Sequence, residues 1–247
     1  MKKNIIYGIH PVKEAVTSQK AIDKIFVQKG LKGKTANELI QLLQQKQIPY
    51  KTVPIEKLNR LTRENHQGVV AFISPVQFEK LEDVLEKTDF ARPVSFLLLD
   101  GITDTRNFGA IIRTAVAADV EAIIIPENNS APVNDEVVKT SAGGIFKIPL
   151  VKVKHLKDAV FLLQSYDIKI FSATEKTNNS LYETDMTHHA AIIMGSEGKG
   201  VQKSLLSISE KIRIPISDKI DSLNVSVACG IILFEMNRQR GARFARS

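Results

Sequence analysis

DGITDTRNFGAIIRT, residues 100–114, is a polar segment that connects two apolar ones. The run before it, Ser95–Leu99, has the composition of a buried strand, and Ala110–Ala118 has that of a helix. A short, polar strand-to-helix connection is typical of the carboxyl end of a sheet, where open α/β proteins bind their ligands. The segment therefore predicts one wall of a binding cleft.

Two side chains of this segment allow more than one interpretation. Arg113 is flanked by Ile111, Ile112 and Ala115 inside the predicted helix, and an unpaired buried guanidinium is very costly. It therefore forms a structural salt bridge, snorkels to the surface, or binds a ligand. Asn107 is either an ordinary helix N-cap or a side chain that faces the cleft.

The amino-acid composition limits the class of protein to which the chain can belong. The chain has 247 residues, of which 43% are apolar and 25% charged, as in ordinary globular proteins. Its one cysteine, Cys229, excludes an internal disulfide framework and a multi-cysteine metal site. The apolar neighbours of Cys229 predict a buried packing residue, and no cluster of metal ligands is evident, so no metal is expected.

The chain offers no membrane segment by sequence. Met1-Lys2-Lys3 resembles the start of a signal peptide, but His10-Pro11 interrupts the apolar run that follows. No later apolar run approaches the roughly 18 residues that a span requires. We therefore expect a cytoplasmic protein without a membrane partner.

Positive charge is concentrated in the first third of the chain. Residues 1–75 contain 13 Lys and Arg against 5 Asp and Glu, whereas the remainder is nearly neutral. Such asymmetry favours a module that binds a polyanion, most plausibly nucleic acid, over a merely solvated lysine-rich surface. The composition predicts a basic domain over residues 1–75, an acidic linker over 76–92 and a second domain over 93–247.

Both domains are predicted to be α/β. In the first, short strands and helices alternate over about 75 residues. In the second, strands that are near-continuous apolar runs alternate with helices, which predicts a doubly wound, mostly parallel sheet. The predicted strands are Ser95–Leu99, Ala122–Ile125, Phe146–Val153, Lys169–Ala173, Ala190–Met194 and Lys211–Ile216, and the helices are Phe108–Ala118, Asn134–Ser141, Leu156–Ser165, Gly200–Ser207 and Asn224–Arg240.

A glycine-rich segment, Met194–Val201 (MGSEGKGV), also joins an apolar strand to a predicted helix. It fits neither G-x-x-x-x-G-K-[ST] nor G-x-G-x-x-G, so a classical nucleotide loop is not indicated. It is either a tight connection or a close backbone approach to a ligand. Glu197 within it would repel phosphate and suits a ligand with a cationic centre or donor groups.

A third motif begins with Ile212–Ile216 (IRIPI) and continues, after a polar loop, with Ser222–Ser226 (SLNVS). Ser222 is the predicted N-cap of the last helix. Together with Ser226 and Gly230 it gives one small, partly polar helix face at i, i+4 spacing. Such a face accepts either a ligand or a closely packed second helix.

In combination, N-x-G-x-x-x-R-T-A at 107–115, M-G-S-E-G-K-G at 194–200 and I-P-I…S-L-N-V-S-V-A at 214–228 resemble the SpoU branch of the SPOUT RNA methyltransferases. The segments Tyr7–Ala15 (YGIHPVKEA) and His66–Ala71 (HQGVVA) resemble the substrate-binding domain of members that 2′-O-methylate a guanosine in 23S rRNA. The resemblance covers nearly the whole chain.

The resemblance implies a small α/β substrate-binding domain and a trefoil-knotted α/β methyltransferase domain that uses S-adenosylmethionine, in a homodimer with active sites near the subunit interface. It implies that Asn107, Arg113, Glu197, Ser222 and Asn224 are the catalytic positions. It also implies that Thr174, Gly195, Ile214 and Leu223 bind the cofactor, largely through backbone groups.

The implied reaction is attack of a ribose 2′-oxygen on the sulfonium methyl, which depends mainly on alignment and proton removal. A guanidinium is a hydrogen-bond donor and not a proton acceptor in proteins, so we expect Arg113 to orient the 2′-oxygen or a neighbouring phosphate. The alternatives are a tRNA 2′-O-methyltransferase and a non-catalytic RNA-binding or ribosome-assembly factor on the same fold.

Overall fold

A computed structural model describes residues 5–18 and 21–241 of the chain. These residues form two compact units. The amino-terminal unit comprises residues up to Gln77 together with 132–135, and the carboxy-terminal unit comprises 78–131 and the residues from Glu136 onward. Within the described residues, no helix has the length and apolar character needed to cross a membrane.

The amino-terminal unit is a four-stranded sheet with strand order β1-β4-β2-β3. The pair β2–β3 is parallel, and β4 is antiparallel to both β1 and β2. The elements, in chain order, are β1 (Ile5–Tyr7), α1 (Ile9–Thr17), β2 (Ile22–Gln28), α2 (Lys34–Gln45), β3 (Lys51–Val53), α3 (Ile55–Leu61) and β4 (Val69–Ile73).

The periodicity of apolar residues explains how the strands and helices of this unit pack into a core. Alternate residues of β2 are buried, and Ile25 and Val27 pack with Val12 of α1 and Leu39 of α2 in one core cluster. Pro11 lies in the first turn of α1. Proline is tolerated there because the first N–H groups of a helix have no partner within the helix.

The segment predicted as an acidic linker, residues 76–92, contains α4 (Leu81–Lys87). Leu81, Val84 and Leu85 are buried in the main core of the carboxy-terminal unit. Glu79 forms a parallel bridge with Val151, beside a strand of the same unit. Most of this segment is therefore packed structure, because its apolar residues recur at helical spacing between the acidic ones.

The carboxy-terminal unit is built on a six-stranded sheet with strand order β10-β8-β9-β5-β6-β7, in which every pairing is parallel. Its strands are β5 (Ser95–Asp100), β6 (Ala122–Pro126), β7 (Leu150–Val153), β8 (Lys169–Ala173), β9 (Ala190–Gly195) and β10 (Glu210–Ile212). Its helices are α5 (Thr105–Ala117), α6 (Asp135–Thr140), α7 (Leu156–Gln164), α8 (Lys203–Leu206) and α9 (Val225–Gln239). This confirms the predicted α/β class.

The predicted strands were too long at two places. The strand predicted from Phe146 begins only at Leu150, and a 3₁₀ turn occupies Gly144–Phe146. The strand predicted to reach Ile216 ends at Ile212, two residues before an Ile-Pro step. Pro215 has no N–H to donate to a sheet, which explains why regular pairing does not continue there.

Sheet topology locates a ligand-binding crevice. After β5 the chain moves toward β6 and β7, whereas after β9 it moves toward β10 on the opposite side. The strands β5 and β9 are neighbours, and their last residues, Asp100 and Gly195, are paired in register. Open α/β sheets bind ligands at the carboxyl ends of strands where the direction of connection reverses. This topology brings the 100–114 segment beside the glycine-rich segment.

Candidate active site

The first turn of α5 is capped by Asp104. Its Oδ1 accepts hydrogen bonds from the backbone N–H groups of Arg106, at 3.0 Å, and Asn107, at 2.8 Å. The helix therefore begins at Thr105, three residues earlier than predicted, and the N-cap interpretation of Asn107 was wrong. With the cap supplied by Asp104, the side chain of Asn107 is available for other contacts.

Asn107, Glu197 and Asn224 form a hydrogen-bonded cluster. The Nδ2 atoms of Asn107 and Asn224 donate to Glu197 Oε1 at 3.1 and 2.9 Å. Asn224 Nδ2 also lies 3.0 Å from Asn107 Oδ1. Glu197 Oε2 accepts no hydrogen bond from the described part of the chain and remains available to a ligand. Three of the five predicted catalytic residues thus meet, although they come from three separate segments.

Asn224 also caps α9. Its Oδ1 accepts from the Ser226 backbone N–H at 2.9 Å and from Ser226 Oγ at 2.6 Å. The prediction that Ser222 is the N-cap was wrong, because α9 begins at Val225 and Asn224 supplies the oxygen. Ser222 is exposed and forms no hydrogen bond with the described residues, so the structure does not bring it into the cluster.

Arg113 is exposed rather than buried among its apolar neighbours. It has no ion-pair partner among residues 5–18 and 21–241, so the salt-bridge interpretation was wrong. It lies six residues beyond Asn107, about 9 Å further along the axis of α5. The hydrogen-bonded cluster therefore does not include Arg113, whose guanidinium remains free to meet an anionic or polar ligand.

The small face predicted on α9 is used for packing at one position. A Cβ added at Gly230 would contact Thr114 Cγ2 of α5 at 3.5 Å, so the two helices approach closely there. Ser226 belongs to the cap of α9, and Ser222 precedes the helix. The helix-packing interpretation therefore holds for Gly230. Ser226, one turn earlier in α9, lies on the same face, whereas Ser222 is outside the helix.

Gly195 is required by a tight turn of the chain. A Cβ at this position would lie 2.1 Å from the carbonyl carbon of Gly200 and 2.2 Å from the nitrogen of Val201. The loop folds back on the end of β9, with the Gly200 N–H donating to Ser196 O at 2.9 Å. Only glycine fits at such an approach. The loop that presents Glu197 is therefore held in place by its own backbone.

The predicted cofactor residues lie around the same edge of the sheet. Thr174 follows β8, Gly195 ends β9 and Ile214 follows β10, three neighbouring parallel strands. The Thr174 N–H donates to Ile212 O at 2.9 Å, which joins two of the loops. Leu223 precedes Asn224, whose side chain contacts Glu197. All four residues are half-buried, so their backbone and apolar groups are accessible to a ligand.

Two residues near the site were not predicted. Asp100 is 2% exposed at the end of β5, and its Oδ2 accepts from the Gln202 N–H at 2.7 Å. The Gln202 side chain donates to the other carboxylate oxygen. A carboxylate that directly follows a fully apolar strand was the available signal for Asp100. No sequence signal pointed to its partner Gln202, which is 102 residues away.

Cys229 is confirmed as a buried thiol. Burial raises its pKa to about 12, so it remains protonated and is not a nucleophile at neutral pH. Within the described residues there is no group of three His, Cys, Asp or Glu side chains that could hold a metal ion.

The His66-Gln67-Gly68 motif has a structural explanation in the amino-terminal unit. His66 Nδ1 accepts from the Gly68 N–H at 3.0 Å, which leaves Nε2 as the donor to Asn59 Oδ1 at 2.8 Å. A Cβ at Gly68, where φ is +77°, would lie 2.6 Å from Leu31 Cδ1. These contacts hold the turn that leads into β4.

Comparison with known families accounts for both units. A family model described as the SpoU rRNA Methylase family matches residues 95–234, which contain every residue of the cluster. The chain belongs to the SpoU methylase family. A second model, described as RNA 2′-O ribose methyltransferase substrate binding, matches residues 5–79.

Three relatives of this SpoU chain cover between 65% and 97% of it. A putative TrmH family tRNA/rRNA methyltransferase of Staphylococcus epidermidis is 35% identical over 248 residues, covering 97% of both chains. The crystal structure of the SpoU methyltransferase AviRb from Streptomyces viridochromogenes, in complex with AdoMet, has a TM-score of 0.62 at 21% identity, covering 96% of this chain and 90% of that one. The A. aeolicus TrmH/SpoU tRNA modifying enzyme has a TM-score of 0.55 at 31% identity, covering 65% and 81%.

These findings confirm the predicted family and its enzymatic nature. The chain is an RNA 2′-O-ribose methyltransferase. The alternative of a non-catalytic RNA-binding factor is therefore set aside.

Proposed function

We propose that this enzyme methylates the ribose 2′-hydroxyl of a guanosine in 23S rRNA. The Asn107–Glu197–Asn224 cluster beside the β8, β9 and β10 loops is the observation that carries the proposal for the site. The choice of rRNA depends on the resemblance of Tyr7–Ala15 and His66–Ala71 to the rRNA-specific members. A tRNA substrate is the competing outcome.

The residues at the strand ends fit the cofactor. Gly195, Thr174, Ile214 and Leu223 offer backbone and apolar surface, and Glu197 offers a carboxylate to a cationic centre, as the sulfonium is. When bound, S-adenosylmethionine supplies an activated methyl group. The role of these residues is to hold that group in line with the ribose oxygen, since alignment contributes much of the rate in such transfers.

Arg113 acts on the RNA in this proposal. Its exposed guanidinium has no partner in the described chain and matches the ribose oxygen or an adjacent phosphate. As a hydrogen-bond donor it stabilises the negative charge that develops on the 2′-oxygen as its proton passes to a base. That charge is consumed when the oxygen bonds to the methyl carbon and the carbon–sulfur bond breaks. The asparagine amides of the cluster hold Glu197 Oε1, which fixes the carboxylate beside the reacting atoms.

The amino-terminal unit is the proposed RNA-substrate-binding domain, over residues 1–75. Lys29 and Lys32 lie in the connection from β2 to α2, and Lys34 is the first residue of α2. All three are exposed and form no ion pair within the described residues. The N-cap of α2, Gly33, supplies no side-chain acceptor to the helix. Lysines around an uncapped helix start favour a polyanion such as RNA.

A homodimer is the proposed assembly. Val227 and Phe234 lie seven residues apart on one face of α9, and they are 51% and 47% exposed. Such exposed apolar side chains on a helix favour association with another protein surface. Because α9 packs on the helix that carries Arg113, a second copy on this face would lie near the site, as the resemblance implies. The predicted knot and the cytoplasmic location, where the RNA resides, stay part of the proposal.

One experiment tests the proposed activity. The purified chain is incubated with total RNA and S-adenosylmethionine carrying a labelled methyl group, and the modified nucleotide is mapped. Label in a 2′-O-methylguanosine of 23S rRNA is the expected result. Label confined to tRNA would support the tRNA alternative, and label on a base would contradict ribose methylation.

A further inference from the structure

A cleft of about 760 Å³ opens beside the cluster, at the carboxyl ends of β5, β6, β7 and β9. Its size is within the range of about 300 to 1,000 Å³ typical of small-ligand sites. None of Asn107, Glu197 and Asn224 lines it, and neither do the four proposed cofactor residues. It borders the cluster through Ser196, the residue directly before Glu197. The cleft is therefore a neighbouring space and not the site of the reacting atoms.

The wall of the cleft is tightly packed. A Cβ added at Gly101, where φ is +77°, would lie 2.9 Å from Asn129 Nδ2 and 3.4 Å from Ser196 Cβ. The loops that follow β5, β6 and β9 are thus in contact with one another. Asp100, which also lines the cleft, is held by both hydrogen bonds from Gln202. These contacts hold the shape of the cleft.

The charges in the cleft suit an anion. Three lysines line it, Lys154, Lys157 and Lys199, against two carboxylates, Asp100 and Asp158. Lys154 and Lys199 are exposed and form no ion pair within the described residues, whereas Lys157 lies 5.5 Å from the ring of Phe161. Two ammonium groups without partners and a polar wall match the phosphate and the base edge of one nucleotide.

We propose that this cleft binds the nucleotide next to the methylated one in the RNA chain, with its phosphate against Lys154 and Lys199. The inference depends on the proposed function, because it takes the reacting ribose to lie at the Asn107–Glu197–Asn224 cluster. Because Ser196 lines the cleft and directly precedes Glu197, a nucleotide attached to that ribose would lie in the cleft. The cleft is an RNA subsite of the methyltransferase unit, separate from the lysines of the amino-terminal unit.

The test compares a Lys154→Ala/Lys199→Ala variant with a Lys80→Ala/Lys169→Ala control, which removes the same charge from exposed positions that do not line the cleft. Methyl transfer to a 23S rRNA transcript gives kcat and KM, equilibrium binding of the same transcript gives the salt slope, and calorimetry gives the Kd for S-adenosylmethionine. We expect the cleft variant to raise KM for RNA by about tenfold. Its slope of log K against log salt should fall by about 0.7 for each phosphate that the variant no longer neutralises.

The outcomes of this experiment distinguish a failure of the cleft subsite from a failure of the proposed function. In the cleft variant, kcat at saturating RNA and the Kd for S-adenosylmethionine should stay within a few fold of wild type. An unchanged KM and salt slope would overturn the subsite, as would a weakened affinity for S-adenosylmethionine, since the cleft would then belong to the cofactor. If the wild-type chain transfers no methyl to the transcript, the proposed substrate fails, whereas the binding measurement still tests the cleft.

Discussion

Asn224 donates from Nδ2 to Glu197 Oε1 at 2.9 Å while its Oδ1 caps α9 through the Ser226 N–H. One side chain therefore orients the carboxylate of the site and also stabilises the start of a helix. The contact with Glu197 uses Nδ2 and the helix cap uses Oδ1. Substitutions at this position can therefore remove one contact and keep the other.

Replacing Asn224 tests that separation. Asn224→Ser keeps an N-cap oxygen but is too short to reach Glu197, whereas Asn224→Ala removes both contacts. We expect the free energy of unfolding to fall by about 1 kcal/mol for alanine and by much less for serine. Methyl transfer should be impaired in both variants. Urea unfolding and initial rates provide the measurements, and normal activity in Asn224→Ser would show that only the cap matters.

Arg113→Ala should abolish measurable methyl transfer, since loss of one donor to a developing oxyanion lowers kcat by about 10² to 10³-fold. The affinity for S-adenosylmethionine should remain within a few fold, because Arg113 is proposed to contact RNA. Arg92→Ala is the control, as Arg92 is an exposed arginine paired with Asp119 at 2.8 Å. Near-normal turnover in Arg113→Ala would contradict the proposed role.

Gly195→Ala should lower the affinity for S-adenosylmethionine by more than tenfold, because its Cβ cannot fit against Gly200 without moving the loop. Gly198→Ala is the matched control in the same loop. A Cβ there meets nothing within 4 Å, so it introduces only the strain of φ +82°, about 1 to 2 kcal/mol. Calorimetric titration measures both affinities. Equal losses in the two variants would contradict a specific role for the close approach at Gly195.

Lys29→Ala/Lys32→Ala/Lys34→Ala should weaken RNA binding and flatten its dependence on salt. Each phosphate that these lysines no longer neutralise lowers the slope of log K against log salt by about 0.7 to 0.9. Lys13→Ala is the control, because Lys13 already pairs with Glu38 at 2.8 Å. Binding of a 23S rRNA transcript at several salt concentrations gives the slopes. An unchanged slope in the triple variant would argue that these lysines form only a solvated surface.

The burial of Cys229 predicts that the free energy of unfolding falls at alkaline pH. Its pKa is raised by burial to about 12 in the folded chain, against about 8.5 when unfolded. The stabilisation from the neutral thiol is therefore complete below about pH 8.5 and is lost as pH rises toward 12. Urea unfolding at pH 7.5 and pH 10 should show a larger loss for wild type than for Cys229→Ala. Equal losses would contradict the shift.

The pattern of apolar residues alone predicted the alternating strands and helices of the carboxy-terminal unit. Runs such as Ala190–Met194 predict strands buried on both faces, because only a sheet covered on both sides removes every residue of such a run from water. Asn107, Glu197 and Asn224 were identified as a set only through the family resemblance, since nothing in local sequence reports a contact between residues 90 or 117 positions apart.

The sequence by itself determined the α/β class, the basic first third and the family. The tertiary structure decided the helix starts: Asp104 caps α5 and Asn224 caps α9, where Asn107 and Ser222 had been the predicted caps. It also decided that Arg113 is exposed and that Asp100 meets Gln202. Hydrophobic periodicity records which face of an element is buried. Contacts between distant polar side chains depend on strand order and helix placement, which only the folded chain establishes.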